Sequence, residues 1–236
     1  MNSFGAISAL SAWNPVTSDF GLINAPAKRA IAIFDAWQKE IGFTHHRHDI
    51  TGSLADAFKA LPPLSAERQR KLFIAVGTEW TAFFASGIQG SDAPVGELAR
   101  RLESLAMRVC VTPAESGMPA VIWEVYAPPA LGGKPPLGVR RSIAAAFDGA
   151  KWVFHQDGEP YSFETTDAYR VARARSRFTR EMLVRYLAEF KLAPFEDGFY
   201  TVSVAQPAVL LEREQRWARV PPEYTLAEVV AGKPWR

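Results

Sequence analysis

The chain of 236 residues holds a single cysteine, Cys110, so no disulfide can close within it. A lone thiol suits a reducing compartment, and a cytoplasmic location is the expectation. Eighteen apolar residues never run together, so no bilayer-spanning helix is expected. From Met1 to Trp13 no Lys or Arg precedes an apolar run, so no secretory leader is expected either. An excess of one charge is missing too: 27 basic side chains against 25 acidic ones leave a net charge of +2. That balance excludes a global field able to gather nucleic acid or anionic membrane, and any such role must be local. Also missing are a Gly-x-Ser-x-Gly elbow, a Cys-His pairing signature, an Asp-rich metal loop, a Walker loop and a dinucleotide fingerprint.

What is present is ordinary globular composition, 48% apolar and 22% charged. The length suffices for one large domain or two small ones. The pattern reads as a mainly helical segment over 1–70 and an α+β domain over 71–236, with one continuous domain as the alternative. Ala30, Ile33, Phe34, Trp37 and Ile41 recur at helical spacing and predict a helix from Pro26 to Ile41, with Pro in the first turn and Gly42 at the end. A shorter helix is expected over Leu54 to Leu61. Between the two, His45-His46-Arg47-His48-Asp49 reads as a loop. Strands are expected at Leu72 to Val76 and Glu79 to Phe84, joined by a two-residue turn at Gly77-Thr78. Ser91 or Asp92 caps a helix whose buried stripe is Val95, Leu98, Leu102 and Leu105. Strands at Arg108 to Thr112 and Ala120 to Tyr126 follow, then a Pro- and Gly-rich loop over Pro128 to Gly138.

The stretch from Arg141 to Glu164 carries Asp-Gly twice, at 148–149 and 157–158, each between apolar runs, which predicts a three-stranded antiparallel meander. Two-residue turns would set Ala145 opposite Trp152 and Phe154 opposite Tyr161. They place Ile143, Ala145, Phe147, Trp152, Phe154, Tyr161 and Phe163 on one face and small or polar residues on the other. A helix through the alanines 144–146 is the competing reading. Helices are expected over Asp167 to Phe178 and from Thr179 to a stop at Pro194, the second with an apolar face of Met182, Leu183, Tyr186, Leu187 and Phe190 and supported by a Glu181–Arg185 pair. An aromatic loop over Phe195 to Tyr200 follows, then strands at Thr201 to Ala205 and Val209 to Arg213. A last helix starts at Thr225, where Glu228 completes a capping box. The fold class expected is α+β, an antiparallel meander sheet packed against several helices.

Three places invite chemistry. His45, His46 and His48 beside Asp49 could bind zinc and serve a metal-dependent hydrolase, but zinc needs three or four convergent ligands, and exposed histidines without metal are the simpler reading. Arg170, Arg173, Arg177 and Arg180 would line one face of a continuous helix, opposite a buried face of Val171, Ala174 and Phe178. Such a stripe could meet phosphate, nucleic acid or an acidic protein surface, against the plainer reading of a solvated face paired with Glu164, Asp167 and Glu181. Phe199 and Tyr200 are the aromatic candidates for docking. Cys110 reads as a small buried hydrophobe within a strand, and Glu79 and Glu124 as partly buried acids. No catalytic residue, metal or cofactor is assigned.

Several motifs together carry a resemblance. Glu79-Trp80-Thr81-Ala82-Phe83-Phe84 with Gly87, Gly90 and Asp92 downstream, Trp152-Val153-Phe154 before Gly158, Phe163-Glu164, and Arg177-Phe178-Thr179 with Phe199-Tyr200 resemble a family of uncharacterised bacterial proteins, over about Leu72 to Tyr200. Some members look like immunity partners of secreted polymorphic toxins. The resemblance implies a non-enzymatic protein that binds and neutralises a toxin, although the near-neutral charge departs from the acidic balance many such partners have.

Overall fold

The computed structural model describes residues 9–65, 70–87, 92–114, 117–136, 138–214 and 222–233. In chain order the elements are β1 (Asp19–Ile23), α1 (Ala27–Glu40), β2 (His45–Ile50), α2 (Leu54–Lys59), β3 (Leu64–Ser65), β4 (Arg70–Val76), β5 (Trp80–Ala85) and α3 (Asp92–Leu102). They continue as β6 (Ala106–Thr112), β7 (Ala120–Tyr126), β8 (Val139–Phe147), β9 (Trp152–Asp157), α4 (Arg180–Glu189), β10 (Ala208–Arg213), β11 (Glu223–Tyr224) and α5 (Leu226–Val230). The fold is α+β with antiparallel ladders, as the sequence predicts. Among the described residues no helix is long and apolar enough to cross a membrane.

Two compact units divide the chain: residues 1–20, 25–91 and 194–236 form the first, and residues 21–24 and 92–193 the second. Apart from residues 21–24, the first seventy residues therefore share a unit with the end of the chain. In the first unit the strands run in the order β2, β10, β4, β5. One sheet face sets Phe73 opposite Phe83, and Phe34 of α1 covers the pair at ring distances of 5.3 and 5.9 Å. The other face presents Phe84, which meets Phe58 of α2 at 4.9 Å and Phe20 at 5.5 Å. Helix α2 starts at a capping box in which Ser53 and Asp56 satisfy each other's backbone N–H, and two hydrogen bonds from Ser53 hold the Asp56 carboxyl below its usual range. The final helix α5 has the box expected at Thr225 and Glu228.

The helix α1 forms where expected, but its buried stripe is Ala30, Ile31, Phe34 and Gln38; Ile33 and Trp37 are half-buried and Ile41 is exposed. The hairpin of β4 and β5 pairs Val76 with Trp80, so its loop holds Gly77, Thr78 and Glu79, one residue more than predicted. Gly77 takes a φ of +56° there, a left-handed turn that glycine adopts without strain, and Glu79 lies in that exposed turn. Residues 45–49 are not a loop: they form β2, hydrogen-bonded along β10. The strand escaped recognition because its row of His, Arg and Asp has no apolar alternation, which an edge strand with little burial does not need. Of the strand predicted at Thr201 to Ala205, a single bridge from Thr201 to Ala75 exists among the described residues.

In the second unit the order is β1, β6, β7, β8, β9. Val95, Leu98, Ala99 and Leu102 of α3 are buried as its periodicity requires, while Leu105 lies past its end and is half-buried. The proposed cap Ser91 lies outside the described residues. Cys110 is buried in β6. Residues 143–147 are strand, so the pleat overrides the helix propensity of three alanines. The β8–β9 register pairs Phe147 with Trp152 and Ala145 with Phe154, two residues away from the predicted register. Asp148 explains the shift: its Oδ1 accepts from the N–H groups of both Ala150 and Lys151, at 2.9 and 2.8 Å, which closes a four-residue loop. A slip of two preserves parity, so Ile143, Ala145, Phe147, Trp152 and Phe154 still share one face. No third strand follows Gly158; Tyr161 and Phe163 instead stack at 5.1 Å in a turn and pack on Trp123 and on Tyr186 and Phe190 of the α4 segment.

Candidate partner-binding surface

The site is built from Arg141 upward. Alternation along β8 puts Arg141 on the same buried face as Ile143 and Ala145, where a guanidinium cannot shed its charge and must be given partners. Glu164 supplies them. Nε lies 2.9 Å from Oε1 and Nη2 lies 2.6 Å from Oε2, a two-pronged pair whose side chains are 1% and 0% exposed. The remaining donors are spent as well: Nη1 donates to the carbonyls of Asp157 and Gly158, and Nη2 also to Gln156 Oε1. Glu164 in turn accepts the Tyr161 N–H at 2.9 Å and the Tyr169 hydroxyl at 2.8 Å. The hydroxyls of Tyr169 and Tyr186 lie 3.0 Å apart, and Tyr186 accepts the N–H of Thr165. Burial, then the hydrogen bonds to Tyr186 and Glu164, push the Tyr169 phenol far above its ordinary range.

Through Tyr169 this network anchors the segment 166–177. The chain there makes two short 3-10 turns, Thr166–Arg170 and Ala174–Ser176, separated by extended backbone at Val171 and Arg173. The continuous helix expected over Asp167 to Phe178 is absent, and geometry says why. At about 100° per residue, Tyr169 and Phe178 would face opposite sides of a helix, yet both are buried and both reach Tyr186, Phe178 with its ring at 5.9 Å. The arginine stripe is broken accordingly. Arg170 closes the first turn, Arg173 precedes the second, Arg177 follows it, and Arg180 opens α4. Arg177 is committed, its Nε donating to the Val171 carbonyl at 2.8 Å and its guanidinium lying over Phe154 at 5.7 Å. Val171, expected in the core, is exposed, as is Val153 of β9. What faces solvent is a short cationic segment, Arg170, Arg173 and Arg175, with Val171 and Ala172 among them.

The remaining candidates lie elsewhere. Tyr200 is a core residue of the first unit: its hydroxyl donates to the Pro194 carbonyl at 2.7 Å, its ring meets Phe84 at 6.0 Å, and burial raises its pKa. Phe199 is half-buried and packs edge-on against it at 5.1 Å, so the aromatic loop offers no exposed pair for docking. Strand alternation separates the histidines. His45 is buried beneath α1, against Phe34 and Asp35. His46 and His48 point to the other face, towards Glu214 and Glu212 at 3.7 and 3.4 Å. Among the described residues no group of three or more His, Cys, Asp or Glu side chains could hold a metal ion. Glu124 is half-buried as expected, receiving Arg108 at 3.2 Å and the Tyr126 hydroxyl at 2.9 Å. Glu181 and Arg185 do not form the anticipated pair; Arg185 turns to Thr165 Oγ1.

Sequence reading missed the Arg141–Glu164 network, although one signal was available: an arginine on the apolar parity of a strand implies a buried acid somewhere in the chain. Comparison of the chain with family profiles, curated proteins and solved structures finds no match.

Proposed function

We propose that this protein is a non-enzymatic binding protein that neutralises a bacterial toxin by covering it, the role its sequence motifs suggest. The observation that carries the reading is the exposed segment Arg170, Arg173 and Arg175, anchored at Tyr169 to a buried network in which each named polar group is already engaged. A fixed cationic surface recognises an acidic partner without first paying an ordering cost, and guanidinium groups suit carboxylate-rich protein surfaces. The network itself has its donors and acceptors turned inward, so it supports the surface rather than performing chemistry there.

The test is co-purification with a toxin encoded beside this protein, together with a growth-protection assay. A stable complex and protection are expected, and reversing the three arginines to Glu should weaken the complex by roughly a hundredfold or more while the thermal midpoint stays put. No complex and no protection would sink the reading. Binding to an oligonucleotide that weakens steeply with salt would point to phosphate as the partner chemistry instead.

A further inference from the structure

The outer side of β2 carries a second recognition feature, independent of the arginine segment. Among the described residues β2 stands at the end of the strand order of its unit, with β10 as its neighbour, and His46, Arg47, His48 and Asp49 are exposed. The N–H of Glu214 donates to the Thr44 carbonyl at 2.9 Å, in line with the β2–β10 register. Hydrogen bonding alternates along an antiparallel strand, so residues 44, 46 and 48 direct their backbone groups at β10. His45, Arg47 and Asp49 direct theirs outward. On the α1 side of the strand Arg47 Nε and Asp49 Oδ1 form an ion pair at 2.8 Å.

We propose that this edge docks a second copy of the chain, β2 against β2 in antiparallel fashion, with His48 on the two-fold axis. Symmetry and charge together select that register. In a two-fold antiparallel pair the numbers of opposed residues have a constant sum, and because the outward groups belong to odd residues, the sum is even. A sum of 96 opposes Arg47 to Asp49 of the second copy and Asp49 to Arg47, and each such pair exchanges both main-chain hydrogen bonds. The neighbouring permitted registers set Arg47 against Arg47, or Asp49 against Asp49, which like-charge repulsion disfavours. The interface is therefore isologous and closes after two copies. The same charges protect the edge from indiscriminate strand addition, because a strand without a matching acid–base order meets them wrongly. On the opposite face His48 meets His48 across the axis, each beside its own Glu212.

Sedimentation velocity and light scattering of the full chain over a concentration series test this. A reversible dimer is expected. Asp49→Arg or Arg47→Asp alone should raise its dissociation constant roughly tenfold or more, since two symmetric pairs change from attraction to repulsion at once. The combined R47D/D49R exchange should restore it. Asp49→Pro, which deletes an outward N–H, should abolish it while circular dichroism reports an intact fold. A chain that stays monomeric to its solubility limit, a dimer indifferent to the single reversals, or an exchange that fails to rescue would each overturn the proposal.

Discussion

Each unit buries a strongly polar side chain, and the two are treated in opposite ways. In the second unit Arg141 stays charged and its donors go to Glu164, Gln156 and two carbonyls. In the first, the side chain of His45 is wholly enclosed, neither ring nitrogen has a hydrogen-bond partner among the described residues, and Nδ1 stops 3.6 Å from Asp35 Oδ1. Gln38, buried on α1, likewise leaves its Oε1 without a partner among the described residues. The contrast follows from acid–base chemistry. A guanidinium cannot discard its proton, so burial demands a full set of acceptors. An imidazole can become neutral near physiological pH, and the protein buries it bare. Desolvation, reinforced by Lys71 and Arg213 and opposed by Asp35, lowers the His45 pKa to about 4.

The largest expected effect breaks the satisfied cluster. Glu164→Ala leaves the Arg141 charge buried without its carboxylate and should cost about 3–5 kcal/mol in urea unfolding. Next comes the acid limb. His45 is neutral in the folded chain down to about pH 4, whereas in the unfolded chain it takes up a proton below about 6.5. Protons therefore favour unfolding between those values, and roughly 3 kcal/mol should be lost as pH falls through that window, levelling off below it. His45→Leu should remove that part of the slope, as seen by subtracting its pH–stability curve from the parent's. Tyr169→Phe deletes a single hydroxyl donated to a buried carboxylate and should cost about 1.5–3 kcal/mol. Ser53→Ala, which removes an exposed helix cap outside both clusters, should cost about 1 kcal/mol and leave the window between about pH 4 and 6.5 unchanged, altering the profile only in the carboxylate range where the Ser53 hydroxyl helps to hold the Asp56 carboxyl down. If Ser53→Ala matched Glu164→Ala in cost, the contrast between the clusters would collapse.

Local, periodic features were readable in the sequence. The apolar stripes of α3 and α4, the Thr225 box, and the shared face of Ile143, Ala145 and Phe154 all rest on neighbours within a few residues, where steric preference and burial agree. Turn lengths were less legible because one side-chain oxygen, Asp148 Oδ1, decided the loop. Elements defined by distant partners were illegible. The strand β2 exists because β10 lies beside it, more than 150 positions on. The break in the arginine segment exists because Tyr169 and Phe178 must both reach Tyr186. Of the candidate surface, the arginines themselves were visible, and the network that fixes their backbone was not.

Gly158 holds a further consequence. Its φ is +83°, and a Cβ placed there would lie 2.2 Å from the Arg140 carbonyl oxygen, so no other residue fits without moving the β8 backbone. Yet this same residue lends its own carbonyl to Arg141. Positions 141 and 164 are thus bound into one heritable unit beside a glycine that the Arg140 backbone fixes on its own account. Losing either member strands the other, so descendants of this chain should keep the ion pair or replace both members together with an apolar solution, and keep the glycine in either case.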